Sequence, residues 1–312
     1  MNEQDYGHQP VLYEEVLNAL NIQSSGFYVD GTFGRGGHAA GILSQLDNNG
    51  YLLAIDQDPQ AVTAAQQRFA DDPRFEIVHG NFSELKAFVE QRDRYGKVNG
   101  ILLDIGVSSP QLDEAQRGFS FIRPGPLDMR MNPQAGESAS DWLAHAAEEE
   151  IANVLWRYGE EKFSRRIARA IINEKNEQRP ILTTEDLVRV IEDNVPRKEK
   201  HKHPATRSFQ AIRIYINHEL EMLELGLRAA IDVLAPGGRL VVISFHSLED
   251  RIVKRFMRDK SRAEKLPRDL PVMDVDIKVD FKVIGKAVKP SQAEIDVNPR
   301  CRSSVMRTLE KK

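Results

Sequence analysis

The chain has little cysteine and no long apolar run. Its 312 residues include one cysteine, Cys301, which excludes a disulfide framework and any zinc site built from several cysteines. A single thiol is typical of a reducing compartment, so we expect a cytoplasmic protein. The polar amino terminus does not have the pattern of a signal peptide, and no apolar run approaches the length of a membrane span. A membrane protein or a disulfide-stabilised secreted protein is therefore not expected.

An excess of charge of either sign is also missing. Lys and Arg total 43 against 47 Asp and Glu, which gives a formal net charge of −4. This balance provides no general attraction to nucleic acid, so any nucleic-acid surface must be a local patch. The eight histidines are scattered and are not paired at helical spacing beside carboxylates, so the sequence predicts no metal site. The length allows one large or two medium domains.

Glycine, by contrast, is concentrated in one segment. An apolar run at residues 27–29 meets Asp30, and four glycines follow within seven positions: Gly31, Gly34, Gly36 and Gly37. A strand, a glycine turn and a helix in this order are typical of a nucleotide-like cofactor site, because glycine lets a ligand approach the backbone closely. The alternative is a sharp turn that holds no ligand. The spacing differs from G-x-G-x-x-G, so a nicotinamide or flavin dinucleotide is not predicted.

Apolar runs and helical patterns alternate along much of the chain. Strands are predicted at residues 27–29, 51–55, 75–78 and 101–103, with helical patterns between them. Such near-continuous apolar strands indicate a parallel sheet covered on both faces by helices. Three further strands are predicted after a long helix whose apolar residues run from Ile216 to Leu234, at residues 239–245, 277–283 and 303–309.

Between these two blocks the alternation stops. From Gln111 to about Arg207 the sequence shows helices and loops, including a capping-box pattern at residues 183–186. We therefore expect an α/β fold with a mostly parallel seven-stranded sheet formed by residues 1–110 and 208–312. Residues 111–207 would form an inserted helical domain.

Acidic residues follow three of the predicted strands: Asp30, Asp56 and Asp104. The carboxyl ends of parallel strands meet at one edge of a sheet, where ligands bind. Asp56 lies at the distance from the glycine turn at which an acid binds ribose hydroxyls, although it could instead cap the next helix. A carboxylate after so apolar a strand as 101–103 is costly unless it faces a cleft or a partner, so Asp104 is predicted to be functional. Phe82, after the third strand, either lines an adenine ring or belongs to the core.

These features together resemble a Rossmann-like class I S-adenosylmethionine-dependent methyltransferase. In that superfamily an acid precedes a glycine turn, a second acid ends the second strand, and a Pro-Gly-Gly turn precedes the fifth strand, as residues 236–238 do here. Longer segments are similar to the bacterial ribosomal RNA small subunit methyltransferase H family, among them DGTFGRGGH, GILLDIGVSSPQLD, HPATRSFQAIRI and NPRCRSSVMR. The resemblance extends from His8 to about Arg307 and is weakest over residues 259–296.

The resemblance implies transfer of a methyl group from S-adenosylmethionine to the exocyclic N4 of a P-site cytosine in 16S ribosomal RNA. It also implies a role in rRNA processing and in tuning the decoding centre. The expected partner is 16S rRNA within the small ribosomal subunit, with neither a membrane nor an obligate protein partner. Carried over by position, the cofactor contacts are Gly36, Gly37, His38, Asp56, Phe82, Asp104 and Gln111. His38 and Gln111 enter this set through the resemblance alone.

The acceptor side is predicted at the turn after the fourth strand. Base-amino methyltransferases commonly place an Asp/Asn/Ser-Pro-Pro-aromatic turn there, and residues 108–111, SSPQ, lack the second proline and the aromatic. A serine hydroxyl and a backbone carbonyl can accept hydrogen bonds from an amino group. Ser109 and Pro110 are therefore predicted to act in catalysis with Asp104, which would hold the methionine amine. The alternative is that residues 108–110 form a loop with no catalytic role. In the absence of an aromatic at this turn, Phe119 or Phe121 would stack on the target base.

A basic run at residues 197–213 is the candidate RNA surface. Its only acid is Glu199, and such clusters contact phosphates, although a charge run can also be a solvated face. The predicted RNA contacts are Lys198, Lys200, Lys202, Arg207 and Arg213. A second basic stretch at residues 251–258 would extend the patch or form an ordinary surface helix.

Three alternatives stay open from the sequence. His246 would line the substrate cleft or cap a helix. One rival interpretation is a nicotinamide-dependent oxidoreductase, but the G-x-G-x-x-G fingerprint of that class is absent. A non-catalytic RNA-binding protein is another, and it would bind no S-adenosylmethionine.

Overall fold

The computed structural model describes residues 10–196, 203–262 and 279–312. The chain divides into two compact units. One unit, here called the sheet unit, comprises the residues up to Gly106 together with those from Met222 onward. The other, the helical unit, comprises Val107–Glu221. Within the described ranges, no helix has both the length and the apolar character needed to span a membrane.

The sheet unit is built on seven strands in the order β3-β2-β1-β4-β5-β7-β6. The first five in this order pair in parallel, and β7 runs antiparallel to both of its neighbours. This arrangement confirms the predicted mostly parallel seven-stranded sheet. The strands are β1 (Phe27–Asp30), β2 (Tyr51–Asp56), β3 (Phe75–His79), β4 (Val98–Asp104), β5 (Leu234–Ser244), β6 (Phe281–Val288) and β7 (Val305–Lys311).

The helices cover this sheet and build the other unit. In chain order they are α1 (Tyr13–Leu20), α2 (Gly37–Gln45), α3 (Pro59–Arg68), α4 (Leu85–Glu90), α5 (Ser109–Asp113), α6 (Ala139–His145), α7 (Glu148–Gly159), α8 (Ser164–Asn176), α9 (Thr184–Asn194), α10 (Thr206–Ile216), α11 (Glu219–Val233), α12 (Ser247–Lys260) and α13 (Gln292–Val297).

Both faces of the central strands are buried, which is why those strands are apolar without interruption. Side chains alternate between the faces of a strand, so neighbours in sequence enter different cores. One core takes Val29, Leu53, Ile101, Leu103 and Val242. The core on the opposite face takes Tyr28, Leu52, Leu102, Val241 and Ile243.

The Pro-Gly-Gly segment lies inside β5 rather than before it. Helix α11 ends at Val233, and Leu234 already pairs with Val98 of β4. The next paired residue of β5 is Arg239, opposite Gly100, so residues 235–238 form a bulge. Gly237 has a φ of +78°, a left-handed conformation that glycine adopts without strain. The predicted strand at residues 239–245 therefore begins earlier than its apolar run.

The predicted long helix from Ile216 is wrong in one respect, because two helices occupy this segment. Helix α10 ends at Ile216 and α11 begins at Glu219, with His218 at a φ of +50°. The Asn217 side chain holds the break within the helical unit. Its amide donates to the Met129 carbonyl at 2.7 Å, and its carbonyl accepts from the Met131 amide at 2.7 Å. These partners are far away in sequence, so helical spacing alone could not reveal the interruption.

The helical unit has its own apolar core, which includes Trp142, Leu155, Ile167, Ile191 and Ile212. Helix α10 belongs to this core, so the unit extends beyond the predicted residues 111–207 to Glu221. The capping pattern at residue 183 is confirmed, since the Thr183 hydroxyl accepts from the Asp186 amide at 3.2 Å at the start of α9. Helix α8 begins at Ser164, after Glu160, which has a φ of +50° and is the C-cap residue of α7.

Candidate active site

The glycine turn lies at the carboxyl end of β1, where the strand order reverses. Strand β1 pairs with β2 on one side and with β4 on the other. The Gly31 amide donates to the Leu102 carbonyl at 2.9 Å, and the Phe33 amide donates to the Ile55 carbonyl at 3.1 Å. The turn is thereby tied to both neighbouring strands at the topological switch point, where open α/β sheets bind ligands.

The glycines of the turn serve two different purposes. A Cβ on Gly36 would lie 2.5 Å from the Phe33 ring, and Gly36 has a φ of +72°. A Cβ on Gly37 would lie 2.3 Å from Pro10 Cγ. Packing within the protein therefore requires both residues. Gly34 has a φ of +57°, and no described atom lies within 4 Å of where its Cβ would stand. Among the described residues, the space beside Gly34 is therefore unfilled.

His38 lies in the first turn of α2 and is 6% exposed. Its ring stacks on Tyr13, with 6.1 Å between the ring centroids. Neither ring nitrogen makes a well-formed hydrogen bond with another described residue, and Nε2 lies 3.7 Å from Asp104 Oδ2. Burial lowers the pKa of His38 to about 4, against the opposing effect of the Val11 backbone. The imidazole is therefore neutral at pH 7.

Asp104 ends β4 with an oxygen that has no partner among the residues that the structure describes. Its amide donates to the Thr32 hydroxyl at 2.7 Å. About a quarter of the side chain is exposed (24%), but Oδ1 is buried and has no hydrogen bond among the described residues. Burial raises the pKa of Asp104 to about 8, and the charges of Asp30 and Glu249 add to the shift. A buried polar atom without a partner is costly, so this oxygen indicates a site that a ligand completes.

Asp56 shapes the glycine turn from the end of β2. Its Oδ2 accepts from the Gly34 amide at 2.7 Å, and its Oδ1 accepts from the Asp58 amide at 2.8 Å. Burial raises the pKa of Asp56 to about 6, although these two hydrogen bonds oppose the shift. The cap of α3 is Asp58, whose Oδ1 accepts from the Gln60 amide at 3.0 Å. The helix-cap alternative therefore applies to Asp58, and a second lone pair on each Asp56 oxygen can still accept from a hydroxyl.

Two buried acids outside the predicted contact set act on Asp104 through their charge, and we call these acids together with Asp56 and Asp104 the acidic pocket. Asp30 is 1% exposed, and burial raises its pKa to about 7, with a further contribution from the charge of Asp56. Glu249 is fully buried, and its Oε2 accepts from the Phe245 and His246 amides at 2.7 and 3.2 Å. Because carboxyl groups repel one another when ionised, this pocket favours a cationic ligand. S-adenosylmethionine carries two cationic groups, a sulfonium and an ammonium, and the Asp104 oxygen that has no partner among the described residues is suited to one of them.

The turn after β4 is closed by a side chain. Gln111 is 5% exposed, and its Oε1 accepts from the Ser108 amide at 3.0 Å at the start of α5. Ser109 and Pro110 are the first two residues of this helix and are half-buried. Phe119 is buried in the core of the helical unit, whereas Phe121 is partly exposed and stacks on His203 at 4.8 Å. Of the two aromatics, Phe121 is thus the more accessible.

Comparison with known proteins identifies the class of enzyme. Residues 5–312 match the model of the MraW methylase family. The chain belongs to this family. It is also 56% identical over 310 residues to the ribosomal RNA small subunit methyltransferase H of Shewanella frigidimarina, covering 99% of this chain and 98% of that protein. The family predicted from the motifs is therefore confirmed, and with it the S-adenosylmethionine-dependent methyl transfer that the family implies.

Solved structures of other methylases are more distant. An rRNA methylase from Streptococcus thermophilus is 12% identical with a TM-score of 0.38, covering 95% of this chain and 94% of its own. An S-adenosylmethionine-dependent O-methyltransferase from Thermotoga maritima is 10% identical with a TM-score of 0.39, covering 96% of this chain and 64% of its own. The fold of this MraW methylase is defined by its own strand order.

Two of the remaining predicted residues have structural contacts in this methylase. Phe82 is 9% exposed and packs in the core, where a Cβ on Gly226 would lie 2.4 Å from Phe82 Cδ2. This is the core packing that the sequence left as an alternative, and a contact with adenine stays a prediction. His246 is the N-cap of α12, where its Nδ1 accepts from the Glu249 amide at 3.4 Å. The structure thus supports the capping alternative for His246.

The predicted RNA contacts are only partly described. Lys198, Lys200 and Lys202 lie outside the described residues. Arg213 is bound by two 2.8 Å hydrogen bonds to the Glu219 carboxylate, and the two side chains are 15% and 5% exposed. Arg207 donates to the Glu160 carbonyl at 2.8 Å. The four cations of residues 251–258 are exposed on α12. An RNA-binding role for any of these residues stays a prediction.

Proposed function

We propose that this MraW methylase transfers the methyl group of S-adenosylmethionine to the exocyclic N4 of a P-site cytosine in 16S ribosomal RNA. The observation that carries the proposal is the buried Oδ1 of Asp104 at the carboxyl end of β4, which has no partner within the described ranges and lies among acids suited to a cationic donor. The name of the Shewanella relative supports ribosomal RNA of the small subunit as the substrate. In cells, such a modification would belong to rRNA processing.

The cofactor pocket contributes mainly by holding charge. The Asp104 carboxylate would bind the methionine ammonium, and the Asp56 oxygens would accept from the ribose hydroxyls. His38, neutral at pH 7 because burial lowers its pKa to about 4, adds no positive charge that would repel the donor. The bound donor supplies a methyl group on a sulfonium, which leaves as a neutral thioether when the C–S bond breaks.

The acceptor must be made more nucleophilic, because the N4 lone pair of cytosine is delocalised into the ring. As the N–C bond forms, positive charge develops on N4, and one of its protons then passes to solvent water. Hydrogen-bond acceptors aimed at the amino group stabilise that charge. The Ser109 hydroxyl makes no hydrogen bond with another described residue, so it is available for this role, together with the Ser108 carbonyl before Pro110.

Orientation of the RNA is assigned to the helical unit, residues 107–221. In-line attack needs the base to be held in position rather than activated strongly, since the donor is already reactive. The helical unit has an independent core, and a rigid element of this kind can carry a substrate-binding surface.

The proposal is tested by nucleoside mass spectrometry of 16S rRNA from cells that lack the protein. We expect N4-methylcytidine to be absent and to return when the wild-type chain is supplied. Asp104→Asn should fail to restore it, whereas Asp71→Asn, which changes an exposed acid of the same unit, should restore it. A normal content of N4-methylcytidine in the deletion strain would refute the assignment.

A further inference from the structure

Helix α8 of the helical unit presents a row of cations on its exposed side. Arg165, Arg166 and Arg169 are exposed, as is Lys162 just before the helix. Their spacing of three and four residues places them on one side of the helix. The opposite side, with Ile167, Ala168 and Ile171, is buried in the core. We call Lys162, Arg165, Arg166 and Arg169 the basic face.

The charge of the basic face is poorly compensated by its neighbours. Among the residues that the structure describes, Lys162 and Arg165 make no ion pair, and Arg166 has a contact with the neutral Asn194 amide oxygen at 3.4 Å. Arg169 lies 3.4 Å from Glu148, but the two side chains are 72% and 42% exposed. Exposed pairs of this kind contribute little to stability.

Two of the acids near in sequence are directed elsewhere. Glu174, on α8 itself, is bound to Arg179 at 2.9 Å and to Arg189 at 2.8 Å. Glu161 is 4% exposed and accepts from the Phe163 amide at 2.9 Å. Among the described residues, the acids near the four cations that reach solvent are Glu160, just before Lys162, and Glu148, beside Arg169. The basic face therefore keeps a net positive charge.

Helix stability does not explain this arrangement. Cations in the first turn oppose the helix dipole, and like charges four residues apart repel each other. The neighbouring helices have the favourable pattern, with Glu148, Glu149 and Glu150 in the first turn of α7 and Glu185 and Asp186 in that of α9. Helix α8 has no acid there. A locally unfavourable choice of this kind is a feature of functional surfaces.

We propose that the basic face binds the phosphate backbone of the substrate RNA; this inference rests on the proposed function and adds a surface to it. Guanidinium groups match phosphate oxygens in a bidentate geometry. Arg165 and Arg169 are separated by about 6 Å along the helix axis, which lets neighbouring arginines reach successive phosphates of one strand. Such contacts orient the RNA and carry no sequence preference.

The test compares two triple variants of the full chain with the wild type. One variant, R165A/R166A/R169A, removes the arginines of the basic face. The matched control, R228A/K286A/K289A, removes three exposed cations of the sheet unit. Binding to a fluorescently labelled 16S rRNA transcript is measured between about 50 and 200 mM salt, and S-adenosylmethionine affinity is measured by calorimetry as a check on folding.

We expect the basic-face variant to bind the transcript roughly tenfold or more weakly at about 0.1 M salt, with a salt slope shallower by about 2 to 3, because three phosphate contacts are lost. Its affinity for S-adenosylmethionine should be unchanged. If the wild type binds the transcript and this variant has the same RNA affinity and salt slope, the proposal that the basic face binds RNA is refuted. The methyltransferase assignment would be unaffected by that result. An equal loss in the control variant would also overturn it, since general charge would then explain the effect.

Failure of the proposed function has a different signature. In that case the mass spectrometry described above would find the same content of N4-methylcytidine in 16S rRNA with and without the protein. The proposal that the basic face binds substrate RNA would then be refuted as well, because the substrate would have been assigned wrongly.

Discussion

The ionisation of Asp104 should control the affinity for the methyl donor. Its pKa is raised to about 8, first by burial and then by the charges of Asp30 and Glu249. A cationic ligand binds the ionised carboxylate, so affinity should increase with pH by about tenfold per unit below pH 8 and level off above it. Between pH 6 and pH 8 the ionised fraction rises from about 1% to one half, which sets an upper limit of roughly 50-fold for this group.

Asp104→Asn tests this reasoning, because asparagine has nearly the size of the protonated acid and cannot ionise. At pH 8 the variant should bind S-adenosylmethionine up to about 50-fold more weakly than the wild type, close to the wild-type affinity at pH 6. S-adenosylhomocysteine keeps the ammonium and lacks the sulfonium charge. It should lose the same factor if Asp104 holds the ammonium group.

The assay is titration calorimetry from pH 6 to pH 9, with Asp71→Asn as the matched control. Asp71 is an exposed acid of the sheet unit, and its substitution should leave the pH profile unchanged. The reasoning is refuted if folded Asp104→Asn binds as tightly as the wild type at pH 8. Wild-type affinity that does not change between pH 6 and pH 8 would refute it equally.

Three further predictions concern other parts of the chain. Gly36→Ala should lower the free energy of unfolding, measured by urea denaturation, by about 1–3 kcal/mol more than Gly34→Ala does. Both glycines have a positive φ, but only at Gly36 would the new Cβ clash, because it would meet the Phe33 ring. Equal losses in the two variants would contradict this prediction. Ser109→Ala should lower kcat for RNA methylation by up to about tenfold, the equivalent of one hydrogen bond, without changing S-adenosylmethionine affinity. Full turnover in this variant would show that the side chain has no part in the mechanism. Arg213→Ala should lower the free energy of unfolding by about 3 kcal/mol, because it leaves Glu219 buried without its partner. The salt dependence of RNA binding should not change. A shallower salt dependence in a stable variant would instead show that Arg213 contacts a phosphate.

The sheet could be predicted because its strands are marked locally. The runs at residues 51–55 and 101–103 are apolar without interruption, and the strands they mark are buried on both faces. The ends of helices and strands were harder to predict from the sequence. The break at His218 depends on hydrogen bonds from Asn217 to Met129 and Met131, and the early start of β5 depends on its pairing with Val98. Neither partner is close in sequence.

The candidate site shows the same division. Asp56 and Asp104 could be assigned to one sheet edge because the carboxyl ends of parallel strands meet there. Their environments could not be predicted. The Asp104 amide is bound by Thr32, 72 residues away, and the shift in its pKa depends on burial and on Glu249, which lies beyond the whole helical unit in the chain.

The sequence by itself determined the order of strands and helices, the glycine turn, the acids at the strand ends and, through its motifs, the family. These features follow from side-chain periodicity and from local backbone requirements, which neighbouring residues specify. Only the tertiary structure decided which charged groups have partners. It pairs Arg213 with Glu219, leaves an oxygen of Asp104 without a partner in the described part of the chain and exposes the arginines of α8. Desolvation and ion pairing depend on distances between groups that are remote in the chain, and folding alone sets those distances.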